Sequence, residues 1–206
     1  MAQLYFYYGA MQSSKSANLL MVAHNYRSQD KKVILVTPSI DDRGGVGVIS
    51  SRAGMEEKAI PLGPEESVYS ALKSELIDSN GNRKNIHCIL VDEAQFLTAE
   101  QIKSLSIIVD SFNIPVMCYG LKNDFQNNLF EGSETLLLYA DKIIEIKTIC
   151  AKEECGKKAI MNGRFIDGII ETEGAQVVIG DEQYIPLCRK CYMGEVKNRD
   201  AKKENG

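Results

Sequence analysis

The chain has 206 residues, 44% hydrophobic and 25% charged, with a formal net charge of −4 and six cysteines. That length allows one main domain with a core of ordinary size and a small appendage. The acidic balance argues against a nucleic-acid or anionic-membrane surface as the main partner, and no stretch is long and apolar enough to span a bilayer. The N-terminus, MAQLYFYYG, has no basic region and no long apolar run, so it is not read as a secretory signal and a cytoplasmic location is expected.

Residues Gln3–Tyr8 are aromatic-rich without helical spacing and predict a short buried strand. Next come Gly9, Ala10, Met11, Gln12, Ser13, Ser14, Lys15 and Ser16. This is the P-loop spacing, with Ser14 where the second glycine is usual. Ser16–Arg27 follows as a predicted helix, with Leu19, Leu20, Val22, Ala23 and Tyr26 on one side. A loop between a strand and a helix N-terminus points backbone N–H groups into one cavity, where the helix dipole favours negative charge. Lys15 adds a cation for outer phosphates, and the Ser16 hydroxyl is a ligand for Mg²⁺. An ordinary strand-to-helix turn is the bland alternative for this loop taken alone.

Lys32–Thr37 predicts a second buried strand, and Pro38–Gly47 is turn-rich, carrying Asp41, Asp42 and Arg43. Val48–Gly63 shows no clear period and, with Pro61 and Pro64, is expected to be a mobile loop or lid. Ser67–Asp78 has helical spacing, Ile86–Val91 is the clearest buried strand, and Thr98 with Gln101 is a capping box for a helix to about Asp110. Ile114–Leu121 and Lys142–Thr148 are further strands. Strands alternating with helices predict an α/β protein with a mainly parallel sheet.

The strand at 86–91 ends in Asp92-Glu93, one strand–helix–strand excursion after the P-loop. A carboxylate delivered there can hold Mg²⁺, and the next one can accept a proton from a hydroxyl or a water. A solvated acidic pair would be the favourite reading in isolation; the P-loop upstream makes a nucleoside-triphosphate site the better one. His24 and His87 have no second ligand or nucleophile nearby in sequence and are read as structural.

Cys88 and Cys118 lie in apolar runs and are read as core residues, reduced as a cytosolic location requires. Cys150, Cys155, Cys188 and Cys191 form a C-x₄-C and a C-x₂-C pair about thirty residues apart. Two such pairs suit a structural tetrahedral zinc site, with redox use of Cys188 and Cys191 as the rival. From Cys150 onward runs are short and glycines frequent, so a boundary is placed there: a core at 1–149, a zinc-binding unit at 150–194 and a disordered tail at 195–206.

In combination, GAMQSSKS, SIDDR, VDEAQF, YGLKNDF, KTIC and VVIGDEQYIPLCRKCY resemble the type II thymidine kinases, the cytosolic, zinc-containing branch with a RecA-like P-loop core. The resemblance implies an enzyme that uses ATP, Mg²⁺ and structural Zn²⁺ to phosphorylate the 5′-hydroxyl of thymidine. It assigns ATP and its metal to the loop Gly9–Ser16 with Asp92 and Gln95, catalysis to Glu93 as general base with Lys15 and Arg43, and thymine to Met11, Phe96, Leu121, Phe125 and Tyr184. A lasso across Asn162, Arg164 and Val178, Ile179 and Gly180 would cover the base, anchored by a zinc ion on the four late cysteines. A homotetramer, feedback by dTTP, and no nucleic-acid or membrane partner are also implied. Rival readings from other classes are a P-loop ATPase of helicase or RecA type, and a zinc-ribbon protein that only senses nucleotide.

Overall fold

The computed structural model describes residues 1–41, 44–177 and 183–204. In chain order the strands are β1 Leu4–Tyr8, β2 Val33–Pro38, β3 Val48–Ser50, β4 Glu56–Lys58, β5 Ile60–Leu62, β6 Cys88–Val91, β7 Val116–Gly120, β8 Lys142–Glu145, β9 Met161–Ile166, β10 Ile169–Glu171 and β11 Gln183–Leu187. The α-helices are α1 Lys15–Arg27, α2 Val68–Leu76, α3 Ala99–Phe112, α4 Glu131–Tyr139 and α5 Arg189–Glu204. The residues gather into two compact units.

The first unit holds Met1–Tyr8, Ser14–Gly120 and Glu131–Glu145. Its six-stranded sheet has the order β5-β2-β6-β7-β1-β8, and every pairing in it is parallel. An all-parallel sheet needs both faces covered, which is why β2 and β6 read as near-continuous apolar runs rather than alternating ones. Ile34, Val36, Ile89 and Val91 pack with Val68, Leu72 and Leu76 of α2 and Ile102, Leu105 and Ile108 of α3 in one cluster. Helix α1 buries Leu19, Leu20 and Ala23 as its spacing predicts. The capping box forms: the Thr98 hydroxyl accepts from Gln101 N–H, and the Gln101 side chain accepts from Thr98 N–H.

One expectation in this unit is corrected, and one helix goes unmarked in the sequence. The stretch read as a lid at 48–63 carries three short strands: β3 and β4 form an antiparallel pair, and β5 joins the edge of the sheet with Val36 opposite Ile60. Pro61 is tolerated because β5 is an edge strand and needs to donate to one neighbour only. Helix α4 carried no helical period because Leu136, Leu137 and Leu138 are consecutive. Its position comes instead from Gly132, where a Cβ would lie 2.4 Å from the Ala94 carbonyl oxygen and 2.6 Å from that of Leu97. Only glycine lets the helix start against that backbone.

The second unit holds Gly9–Ser13, Leu121–Phe130 and the chain from Ile146 onward. Strand β9 pairs antiparallel with both β10 and β11, and a small core forms from Phe165, Ile170, Leu187 and Tyr192 together with Cys150 and Cys188. The division departs from the chain-order boundary at 150. Hydrogen bonds tie the two earlier loops to β9 and α5: Met11 N–H to Asn162 across 151 positions of sequence, Asn162 to the Asn123 carbonyl across 39, and the Tyr192 hydroxyl to the Phe125 carbonyl across 67. The expected tail from 195 also differs, because α5 continues to Glu204. Arg199, largely buried, holds that helix down by donating to the Thr172 hydroxyl, with Glu173 at 3.8 Å.

Candidate active site

The loop from β1 to α1 reaches its helix through unusual backbone. Gln12 and Ser14 both have φ 60, and Ser14 with ψ 31 is left-handed as it caps α1, its carbonyl accepting from Asn18 N–H at 2.9 Å. For a residue with a Cβ this conformation costs about 1–2 kcal/mol, which is why glycine is usual there. Gly9 has no such latitude: a Cβ would meet the Ile146 carbonyl oxygen at 2.5 Å. Not every N–H of the loop faces a phosphate cavity, since Met11 N–H donates to Asn162 Oδ1 at 2.7 Å. Lys15 is buried at the first position of α1.

Strand β6 delivers Asp92 beside Ser16, and the Ser16 hydroxyl hydrogen-bonds the carboxylate. The Asp92 N–H donates to Val36 O at 3.0 Å. Burial first, then the neighbouring Glu93 carboxylate, push the Asp92 carboxyl up to about 7, against the lowering pull of Ser16 and Lys15. Its Oδ1 is buried and has no hydrogen-bond partner among the described residues. A buried carboxylate oxygen left unsatisfied next to a Lys and a Ser hydroxyl is the setting a divalent cation fits.

Glu93 has φ 46, left-handed, and caps the single 3₁₀ turn Ala94–Phe96 that follows. Non-glycine residues held in that region cluster at functional sites because surrounding contacts must enforce the conformation. One such contact is Gln95, buried, whose Nε2 donates to the Glu93 carboxylate. Two adjacent carboxylates therefore sit in different settings, one with an unsatisfied oxygen and one oriented by an amide. Phe96, expected against thymine, belongs to this first unit.

The remaining expected nucleoside contacts lie in the second unit, and several are joined directly. Buried Asn162 on β9 accepts from Met11 N–H and donates Nδ2 to Asn123 O at 2.8 Å. Gln12 Nε2 donates to the Tyr184 carbonyl at 3.3 Å. The Arg164 guanidinium lies 3.7 Å from the centre of the buried Phe125 ring, and it donates to the Glu173 and Ala175 carbonyls. Leu121 is buried in the same unit. Arg43, Val178, Ile179 and Gly180 lie outside the described residues.

Sequence reasoning missed Asn123, Asp124 and Gln176. Asp124 accepts from Gln126 and Asn128 N–H through Oδ1 and from Gln176 Nε2 through Oδ2, which shapes the loop after β7. The polar run KNDFQNN was the available signal, since Asx residues after a strand make such turns.

The four late cysteines converge. Their sulfurs all lie within 4.8 Å of one another, with Cys155 3.7 Å from Cys188 and 3.5 Å from Cys191. A tetrahedron of sulfurs about 2.3 Å from a zinc ion has edges of about 3.8 Å, so this donor set fits zinc. The C-x₄-C pair reaches the same geometry as C-x₂-C through a turn in which Glu154 and Gly156 take positive φ. The Cys191 N–H, 3.5 Å from the sulfur, is the first cause pulling the Cys188 thiol down to about 7. Hydrogen bonding to Cys155 and Cys188 pushes Cys191 up to about 12. Four ionised thiols cannot share so small a space without a cation. Cys88 and Cys118, by contrast, are fully buried core residues, as expected.

A family model described as thymidine kinase matches residues 2–192. The chain belongs to the thymidine kinase family. It is an enzyme of a phosphotransferase family, and the resemblance carried by the motifs is confirmed over nearly its whole length. It is 51% identical over 198 residues to a thymidine kinase of Lactobacillus acidophilus, covering 94% of this chain and 97% of that one. A thymidine kinase of Lactobacillus johnsonii is 49% identical over 204 residues, with 97% and 100% covered. A crystal structure of Pif1 helicase from Candida albicans aligns over 72% of this chain and 36% of that chain, with a TM-score of 0.42 and 14% identity. No helix among the described residues is long and apolar enough to cross a membrane.

Proposed function

We propose that this member of the thymidine kinase family transfers the γ-phosphate of ATP to the 5′-hydroxyl of thymidine, giving dTMP for nucleotide salvage, in a magnesium-dependent reaction. The observation that carries the reading is the Asp92–Glu93 pair, with Asp92 Oδ1 unsatisfied toward a cation and Glu93 held by Gln95. Asp92 and Ser16 would hold magnesium, which when bound neutralises charge on the β- and γ-phosphates. Lys15 and Arg43 would place positive charge on the transferring group. Glu93 would take the proton of the 5′-hydroxyl as that oxygen's electron pair forms a bond to phosphorus and the bridging oxygen leaves with ADP.

Met11, Leu121, Phe125, Asn162 and Tyr184, with Phe96 and the segment from Val178 to Gly180, would hold the base. A base read by buried polar groups is discriminated well, because a wrong exocyclic group leaves those groups unpaired. The cysteine cluster would hold structural zinc and fix the ends of the chain from Ala151 to Leu187. A cytoplasmic homotetramer inhibited by dTTP completes the reading, to be checked by sedimentation and by dTTP titration of the rate.

The test is ADP release from purified protein with Mg-ATP plus thymidine, deoxycytidine, single-stranded DNA or no addition. A rate that requires thymidine supports the kinase. Stimulation by DNA would instead favour an ATPase, and tight ATP binding without turnover would favour a nucleotide sensor.

A further inference from the structure

Thr37 and Asp92 are both buried, and each has a side-chain oxygen without a hydrogen-bond partner among the described residues, Oγ1 and Oδ1. They lie at the C-terminal ends of adjacent strands, Thr37 one residue before the end of β2 and Asp92 directly after β6. The parallel pairing of β2 with β6 runs from Val33 opposite Cys88 to Val36 opposite Val91, and Asp92 N–H donates to Val36 O at 3.0 Å. The next aligned position sets Thr37 beside Asp92. Aligned residues of parallel strands project to the same face of the sheet. Ile34, Val36, Ile89 and Val91 fill the main apolar cluster, so Thr37 and Asp92 project to the other face, where the Ser16 hydroxyl reaches Asp92.

A strand end that packs a hydroxyl into an apolar interior usually satisfies it, and a valine would fill the same shape without the loss. Two unsatisfied oxygens side by side, next to the Ser16 hydroxyl, have a common explanation. We propose that Thr37 is a positioning residue for the divalent cation: its hydroxyl holds one of the waters coordinated to the ion that Asp92 faces. Mg²⁺ dehydrates reluctantly and keeps several waters, so the groups that hold those waters set its place as much as its direct ligands do. The inference rests on the magnesium-dependent reading above and adds to it a residue that neither the P-loop nor the Asp-Glu motif contains.

The test is Mn²⁺ binding to the full-length protein with ADP, read by the electron paramagnetic resonance of free manganese, alongside thermal melts without divalent ions. Thr37→Val is expected to weaken Mn²⁺ binding about tenfold or more, in line with loss of an outer-sphere partner. Thr37→Ser, which keeps the hydroxyl, should stay within about twofold of the parent. Melting of the Val variant without metal should match or exceed that of the parent, since a methyl replaces an unpaired hydroxyl. Should Val not fold, Thr37→Ala carries the same binding test. Unchanged Mn²⁺ binding in the Val or Ala variant overturns the role of Thr37, while Asp92→Asn still lost binding would leave the magnesium reading standing. Binding unchanged in Asp92→Asn as well would remove that reading too.

Discussion

Replacing Asn162 with alanine probes how an early loop and a late strand are held in one unit. The side chain is buried, and it joins Met11 N–H at 2.7 Å to the Asn123 carbonyl at 2.8 Å, partners that lie 151 and 39 positions from it in sequence. Alanine removes both bonds and strands one donor and one acceptor away from water. Each stranded group costs about 1–3 kcal/mol, so the pair is worth about 2–5 kcal/mol after the side chain's regained freedom. In a protein of this size that corresponds to a fall in melting temperature on the order of 10 °C. The same change frees Met11, the middle of the P-loop, so KM for ATP and for thymidine should both rise. Asn162→Asp keeps an acceptor for Met11 N–H but sets a carboxylate against the Asn123 carbonyl, and its defect should therefore shrink as pH is lowered. A melt within about 2 °C of the parent, together with unchanged KM values, would refute this account of the second unit.

Asp92→Asn should change the pH dependence of stability when magnesium is absent. In the folded protein the Asp92 carboxyl is raised to about 7 by burial and by Glu93, so between the unfolded value near 4 and pH 7 the folded state binds a proton the unfolded state does not. Stability is then lost as pH rises, by about 1 kcal/mol between pH 6 and 8, and urea midpoints of the Asn variant should lack that slope. Gly132→Ala drives a Cβ into the Ala94 and Leu97 carbonyls; the strain of about 3 kcal/mol or more should appear as a lower melt and, because those carbonyls follow Glu93, as a lower kcat. Chelation should release zinc, lower the melt of the second unit and expose four reactive thiols, while Cys88, pushed up to about 12 by burial, stays unmodified in native protein at pH 8.

Much of the first unit was legible because its information is local. The apolar run at 86–91, the Thr98–Gln101 capping box and the 3.6-residue spacing after Lys15 each specify one element within a dozen residues. The strands at 48–62 escaped because three-residue strands carry no measurable period, and β5 is recognisable only by its place beside β2. Helix α4 escaped for the same kind of reason, since a glycine contact sets its position. The run KNRDAKKE looks like a solvated tail until Arg199 is seen bonded to Thr172.

In the site, residue types with strong chemistry announced themselves: the P-loop lysine, the Asp-Glu pair and four cysteines. Asn123, Asp124, Gln176 and Thr37 did not. An asparagine or a threonine acquires its role from the strand register and from segments 39 to 52 positions away in sequence, which no local pattern encodes. Ser14 shows the converse. The departure from glycine was visible in sequence, yet the left-handed backbone it must tolerate is visible only in the fold.

The most direct test of the central claim follows the phosphate itself. ATP labelled in the γ-position, incubated with magnesium, thymidine and either the parent protein or Glu93→Gln, separates transfer from hydrolysis. The account predicts label in thymidine monophosphate with the parent, and a fall of about a hundredfold or more in that transfer with the variant, whose nucleotide binding is retained. Label appearing as inorganic phosphate at the same rate with or without thymidine would contradict it.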